Sequence, residues 1–359
     1  MSRDKKSLGQ FYTTNYKYIL KDLDIPKDVK NIIEPFAGNG DLVKFIDQDK
    51  YKLETYDIDP KKDFITKRDT LLEPPDYQDK FVITNPPYLA RNKCQDKTIF
   101  DKYDSNDLYK CFLLSLIGTK IIGGIIIIPL NFISSIRKSD IELRKKFLCE
   151  FDIVRLNIFE EQVFTDTSYT VCSFLFTKPC KNEIIKAVIF PSKQEIQFSL
   201  NEKNNYIVGG EIYQLKNSDK YQIDRATKKT KNKDCITNIL VKCIDDSETS
   251  KIKLSVVEEK QIYIDKTPNL SARSYASLVI QPKLSLDQQK ELVSKFNSFL
   301  EENRKKYNSL FLTNYRESKG IARKRISFSL VFQIVSHLLH SSPPEEPEDA
   351  SLEVEDDSE

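Results

Sequence analysis

Several familiar signatures are missing from this 359-residue chain, and each absence removes a class of protein. The seven cysteines (94, 111, 149, 172, 180, 235 and 243) are odd in number and include no Cys-x-x-Cys pair, which argues against a disulfide framework and a zinc site. Reduced thiols in a reducing compartment are the simple reading. Histidine occurs only at His337 and His340, in an apolar C-terminal stretch that reads as helix, so no metal site is expected. No Gly-Lys-Ser or Gly-Lys-Thr occurs, so there is no P-loop, and no internal repeat is visible. The longest apolar run, Ile121 to Leu130, contains two glycines and a proline and is too short to span a bilayer. Met1 to Gly9 is charged and lacks an apolar h-region, so no signal peptide is expected. These absences predict a soluble intracellular protein that is not secreted and has no membrane partner.

What is present is unevenly distributed. The 56 basic and 54 acidic residues give a net charge of +2, but residues 341–359 hold nine Asp or Glu and no Lys or Arg, which leaves residues 1–340 at +11. A basic body suits a polyanionic partner. The acidic tail lacks aromatics, carries three prolines and is expected to be disordered.

Strand and helix signals alternate through the first half, the pattern of a mostly parallel sheet flanked by helices. Strands are expected at Asn31 to Glu34, Lys52 to Asp57, Phe81 to Thr84, Gly124 to Leu130, Ile153 to Phe159 and Tyr169 to Thr177. Helices are expected at Asp41 to Asp47, Asp107 to Ile122 and Ser139 to Phe147. After Pro179 the chain becomes polar, with short strand-like pieces at Ala187 to Phe190 and Ile262 to Ile264. Lys216 to Lys233 is a basic loop with seven Lys or Arg against two Asp. Ser285 and Gln288 form a capping box for a helix running to about Tyr307. Arg316 to Arg325 is a second basic stretch, read as Arg-rich helix ends beside Tyr315. Domains are therefore expected at 1–179 and 180–340, followed by the tail at 341–359.

The tetrapeptide Asn85-Pro86-Pro87-Tyr88 follows the buried strand Phe81 to Thr84, at the edge where open α/β sheets bind ligands. Two prolines remove two backbone donors and leave a rigid carbonyl beside an amide and an aromatic ring, a rim able to hold a planar amine. Read alone, the stretch is equally a strand-ending turn. Upstream, Phe36-x-Gly38-x-Gly40 lies between a strand and a helix, where glycines let backbone approach a ligand. It lacks the third glycine of the dinucleotide fingerprint, and alone it reads as a tight turn. Asp57 ends the second strand 19 residues after Gly38, a spacing that suits the two hydroxyls of a ribose, or else begins an Asx-turn with Asp59. Asp69 either reaches a purine amine or caps Thr70-Leu71.

In chain order, Gly9-Gln10-Phe11-Tyr12-Thr13-Thr14, Glu34-Pro35-Phe36-Ala37-Gly38-Asn39-Gly40, Asp57, Asp69 and Asn85-Pro86-Pro87-Tyr88 resemble the motifs of S-adenosylmethionine-dependent DNA adenine-N6 methyltransferases of the gamma group. The match covers roughly residues 7–178, with Thr14 where the family usually has proline. The resemblance implies a Rossmann-like class I methyltransferase domain with a mostly parallel twisted sheet, followed by a mixed α+β target-recognition domain. It implies that Phe11, Tyr12 and Thr13 border the methionine part of S-adenosyl-L-methionine, that Glu34, Phe36, Gly38 and Gly40 shape its pocket, that Asp57 takes the ribose and that Asp69 takes the adenine amine. Asn85 and the Pro86 carbonyl would hold the target amine, with Pro87 keeping the rim rigid, Tyr88 stacked on the base and Phe164 as a second stacking ring.

An adenine exocyclic nitrogen is a poor nucleophile, so two acceptors on its hydrogens, with positioning, would carry an in-line transfer without a covalent intermediate. Duplex DNA buries that nitrogen, so the base must be flipped out. Lys228, Lys229, Arg316, Arg323, Lys324 and Arg325 are the expected phosphate contacts, although any one lysine in a charge run is ordinarily solvated surface. The implied role is DNA modification beside a separately encoded cognate restriction endonuclease, in the cytoplasm or another DNA-containing compartment. Enzymes acting on RNA adenine or on protein glutamine through the same tetrapeptide remain alternatives, as does a non-catalytic binding protein.

Overall fold

The computed structural model describes residues 9–164, 169–179, 183–246, 250–266, 274–318 and 321–340, with the side chains of 314–318 and 321–323 outside that set. The expected disordered tail therefore lies outside the described residues. The first half runs α1 (Tyr16–Ile19), β1 (Asn31–Glu34), β2 (Lys52–Asp57), β3 (Thr66–Lys67), β4 (Phe81–Thr84), α2 (Thr98–Lys102), α3 (Leu108–Leu116), β5 (Gly123–Pro129), α4 (Asn131–Ser134), α5 (Lys138–Glu150), β6 (Asp152–Phe159), β7 (Val171–Thr177), β8 (Ile184–Phe190) and β9 (Gln194–Ser199). These strands form one nine-stranded sheet in the order β3-β2-β1-β4-β5-β7-β6-β8-β9. The pairs from β3 to β5 are parallel, whereas β7 runs antiparallel between β5 and β6.

The central strands read as continuous apolar runs because both faces are covered. All four residues of β4 are buried, and Ile125, Ile126, Ile127 and Ile128 of β5 have no exposure. Gly124 lets β5 fit between its neighbours, since a Cβ there would lie 2.3 Å from Val82 Cγ1 and 2.6 Å from the Val82 carbonyl oxygen. The fully buried Arg144 of α5 donates to the carbonyls of Phe132, Ile133 and Ser135, at 2.6–2.8 Å. It thereby satisfies acceptors left open where α4 ends.

The boundary expected after residue 179 falls inside this sheet. β8 pairs with β6 in parallel and β9 pairs with β8 antiparallel. The alternating burial of β8 and β9 places them at a half-covered edge, which is why their sequence looks polar.

The second half contains β10 (Gln222–Arg225), β11 (Ile236–Lys242), β12 (Lys253–Val256), β13 (Tyr275–Gln281), α6 (Leu286–Tyr307), β14 (Thr313–Ser318), β15 (Ile321–Arg325) and α7 (Phe328–His340). Four strands form an antiparallel sheet, β10-β13-β11-β12. Ser285 caps α6 with Gln288 reciprocating, and the helix covers β11 and β12 through buried Leu292, Phe296 and Leu300. Burying each such side chain contributes roughly 1.5–3 kcal/mol. The expected helix 41–47 is only a 3-10 turn at Leu42–Phe45, and the piece at 262–264 pairs in no strand of the sheets. Within the basic stretch, β14 (Thr313–Ser318) pairs antiparallel with β15 (Ile321–Arg325), in place of the expected helix ends.

Candidate active site

A cavity of about 540 Å³ opens at the carboxyl ends of β1, β2 and β4. Its volume lies within the range typical of small-molecule sites. The segments that follow these strands, residues 68–72 after β3 and the stretch Gln10 to Thr13 line it. β1 is followed by the glycine turn, where Gly38 and Gly40 have φ of +52° and +77°. A side chain at Gly40 would be strained, and its Cβ would sit 2.9 Å from Phe64 Cζ.

β2 delivers Asp57, which is 2% exposed. Its Oδ2 accepts the Gly38 amide at 2.8 Å, and its Oδ1 accepts the Asp59 amide at 2.8 Å and Gln10 Nε2 at 3.4 Å. The Asx-turn is therefore real, but the same carboxylate also ties the glycine turn to the cavity wall and keeps lone pairs for a further donor. Asp69 likewise does both things. Its Oδ1 takes the amides of Leu71 and Leu72 at 3.1 Å, and the residue lines the cavity.

Phe11, Tyr12, Thr13, Phe36, Gly38, Asp57 and Asp69 all line this one cavity, together with Asn85 and Pro87. Glu34 and Gly40 do not. Glu34 is wholly buried beneath the wall, where Thr84 donates to its Oε1 at 2.7 Å. Burial lifts its carboxyl to about 8, because the hydrogen bonds from Thr84 and the Phe36 backbone offset only part of the lost solvation. Its expected role in shaping the pocket is therefore indirect, as a neutral acid under the strand ends.

At the tetrapeptide, Asn85 Nδ2 donates to the Phe11 carbonyl at 2.8 Å and to Thr13 Oγ1 at 3.0 Å. The Tyr88 hydroxyl lies against Asn85 Oδ1 and 2.9 Å from the Ile127 carbonyl. Burial pushes the Tyr88 phenol well above its ordinary range, so it remains a proton donor. The ring, expected to offer an open face, is only 3% exposed. Phe11 packs against it, with ring centroids 5.2 Å apart at 31°, as do Tyr109 and Tyr169 at 6.2 and 6.1 Å. Phe11 also meets Phe164 at 6.2 Å, so it contacts both rings expected to flank a base.

The sequence reading did not single out the apolar wall of the cavity, formed by Leu71, Ile99, Phe100 and Leu108. Leu108 had a visible helical periodicity, which is equally the signal of a core residue. Among the described residues no group of His, Cys, Asp and Glu could hold a metal ion, and no helix is long and apolar enough to cross a membrane.

The expected phosphate contacts separate. Lys228 and Lys229 are exposed in the loop after β10. Lys324 is 3% exposed and its Nζ sits 2.6 Å from Glu160 Oε1, so it is an internal counter-charge and is withdrawn as a surface contact. Arg325 is half-buried on β15. Arg316 and Arg323 face each other in the β14–β15 register, with side chains outside the described set.

The β3-β2-β1-β4-β5 order, with β7 reversed between β5 and β6, is an α/β sheet of mostly parallel strands, as expected, and the cavity lies at the carboxyl ends of its strands. No protein-family profile and no curated protein matches the chain. Among solved structures, it is similar to a modification subunit assigned to a type I restriction enzyme from Vibrio vulnificus YJ016, at 13% identity and a TM-score of 0.43 over 61% of this chain and 58% of that one. It is also similar to the methyltransferase subunit of a type I restriction-modification system from Streptococcus thermophilus, at 16% identity and a TM-score of 0.38 over 50% and 47% of the two chains. A third is the M protein of the type I restriction enzyme EcoKI, at 16% and 0.37 over 52% and 49%. The chain thus spans about half the length of these neighbours. What the cavity can do is read from its own geometry.

Proposed function

We propose that the protein transfers a methyl group from S-adenosyl-L-methionine to the N6 amine of an adenine flipped out of duplex DNA. The observation that carries this reading is the convergence of the glycine turn, Asp57, Asp69 and Asn85 on one cavity. The cavity suits the cofactor chemically. Asp57 can accept from ribose hydroxyls, Asp69 can accept from a purine amine against the apolar wall, and the Phe11 to Thr13 segment borders the end nearest Asn85. When bound, the cofactor supplies an electrophilic methyl carried on a sulfonium.

The chain's own residues position the nucleophile. Asn85 Oδ1 and the Pro86 carbonyl accept the two amine hydrogens, which favours a tetrahedral nitrogen with its lone pair directed at the methyl. Pro87 holds that carbonyl on a rigid rim. For a base to lie on Tyr88, some of the rings packed against it must move, because it is only 3% exposed. The basic body and the exposed Lys228 and Lys229 favour a polyanionic substrate over a protein glutamine. A separately encoded restriction endonuclease as functional partner belongs to the same reading.

The test is incubation with methyl-labelled cofactor and either duplex DNA or RNA, followed by digestion to nucleosides. Label in N6-methyldeoxyadenosine is expected. Label only in RNA, or in N4-methylcytosine, would overturn the reading.

A further inference from the structure

We infer that Thr13 is a positioning residue for Asn85, holding its side chain in the orientation that the acceptor-only Phe11 carbonyl selects; this rests on the methyl-transfer reading above. An asparagine presents oxygen and nitrogen at nearly interchangeable positions, so its value as an acceptor depends on what holds the nitrogen. Here both Nδ2 hydrogens are engaged by one segment, through the Phe11 carbonyl at 2.8 Å and Thr13 Oγ1 at 3.0 Å. Both side chains are buried, Thr13 at 3% exposure and Asn85 at 8%.

The segment is itself fixed to the tetrapeptide. The Tyr88 amide donates to the Gly9 carbonyl at 2.9 Å. Gly9 has φ +66°, and a Cβ there would lie 2.8 Å from the Tyr88 carbonyl oxygen. Turning the Asn85 amide over would set Oδ1 against the Phe11 carbonyl, two acceptors with no proton between them. The amide is therefore locked with Oδ1 as the acceptor left for substrate. The Tyr88 hydroxyl donates to that oxygen, whose second lone pair remains for the amine.

Thr13 also lines the cavity, so a role in cofactor binding must be separated from a role through Asn85. The separation uses full-length wild type, Thr13→Val, Thr13→Ala and Thr13→Ser. S-adenosylmethionine affinity is measured by calorimetry, and the single-turnover rate of transfer to duplex DNA is measured at saturating cofactor and DNA. The expected result is that Thr13→Val and Thr13→Ala keep the cofactor affinity but lose about ten-fold in rate, the size of one hydrogen bond, and that Thr13→Ser restores most of it. In an Asn85→Ala background, which has no amide left to hold, Thr13→Val should cost nothing further.

A wild-type rate in both hydroxyl-free variants would overturn the inference. So would a loss of cofactor affinity that accounts for the rate, since Thr13 would then act on the cofactor. If the wild-type protein transfers no methyl to DNA at all, the functional reading itself fails, and the inference falls with it.

Discussion

In residues 9–199 some of the buried polar side chains stand around the open ends of parallel strands, where Thr84 is bonded to Glu34, Asn85 to Thr13, and Asp57 to the glycine turn. In residues 210–340 they instead join one element to another. Gln289 of α6 accepts the Asn238 amide at 2.8 Å and donates to the Leu284 carbonyl at 3.1 Å. Asp246 takes Arg304 Nη2 at 2.7 Å, Arg304 Nε at 3.1 Å and Ser309 Oγ at 2.6 Å. Both arrangements obey the rule that buried polar groups find partners. They differ in what is left over. Around the cavity, Asn85 Oδ1 and the Asp57 carboxylate keep acceptor capacity for a ligand, whereas the Asp246 cluster is satisfied internally. Substitutions should therefore split, with chemistry lost in the first region and stability lost in the second.

The largest effect is expected from Arg304→Ala, which leaves Asp246 buried without its counter-charge. Denaturant unfolding should show a loss of about 3–5 kcal/mol. A loss confined to DNA affinity, with stability intact, would break the comparison. Next is Asp57→Ala in the first region, where removing a charged acceptor should weaken cofactor binding by roughly 10–100-fold, read by calorimetry. If melting falls instead and affinity holds, Asp57 is merely a turn residue.

Smaller changes are expected on the basic surface. The double variant Lys228→Glu, Lys229→Glu should weaken DNA binding across sequences and lower the salt slope by about 2, because each phosphate contact contributes about one. Lys324→Ala should behave otherwise, reducing stability through loss of its pair with Glu160 and leaving the salt slope unchanged. A pH-dependent effect concerns Glu34, whose carboxyl rises from its ordinary 4.5 to about 8. The folded state prefers the protonated form, so this stability is fully present below about 4.5 and is lost as pH rises towards 8. Glu34→Gln, neutral throughout, should match wild type in acid and exceed it increasingly between those values, by thermal melting. A parallel pH profile for both proteins would place Glu34 in solvent.

Local signals made much of the first region legible. The strands at Asn31–Glu34, Lys52–Asp57 and Phe81–Thr84 lie where the β-branched runs placed them, and the capping box at Ser285 opens α6. What could not be read depends on contacts remote in sequence. Phe11 packs against Tyr88 across 77 positions, and Lys324 reaches Glu160 across 164. Of the edge strands, β8 is legible only as the piece Ala187 to Phe190 and β9 not at all, because a half-exposed strand alternates and its polar residues resemble a loop. A charge run such as Arg316 to Arg325 does not distinguish a solvated face from a pair of strands that turns one lysine inward.

The central claim is that Asn85 acts on the substrate amine at the rim of the cavity. It is tested most directly by Asn85→Ala, measuring cofactor affinity, DNA affinity and single-turnover transfer on one preparation. The account predicts near-wild-type binding of both and a rate lower by roughly 10²–10³-fold, as for removal of one preorganised group at a reacting centre. Transfer at the wild-type rate would contradict it.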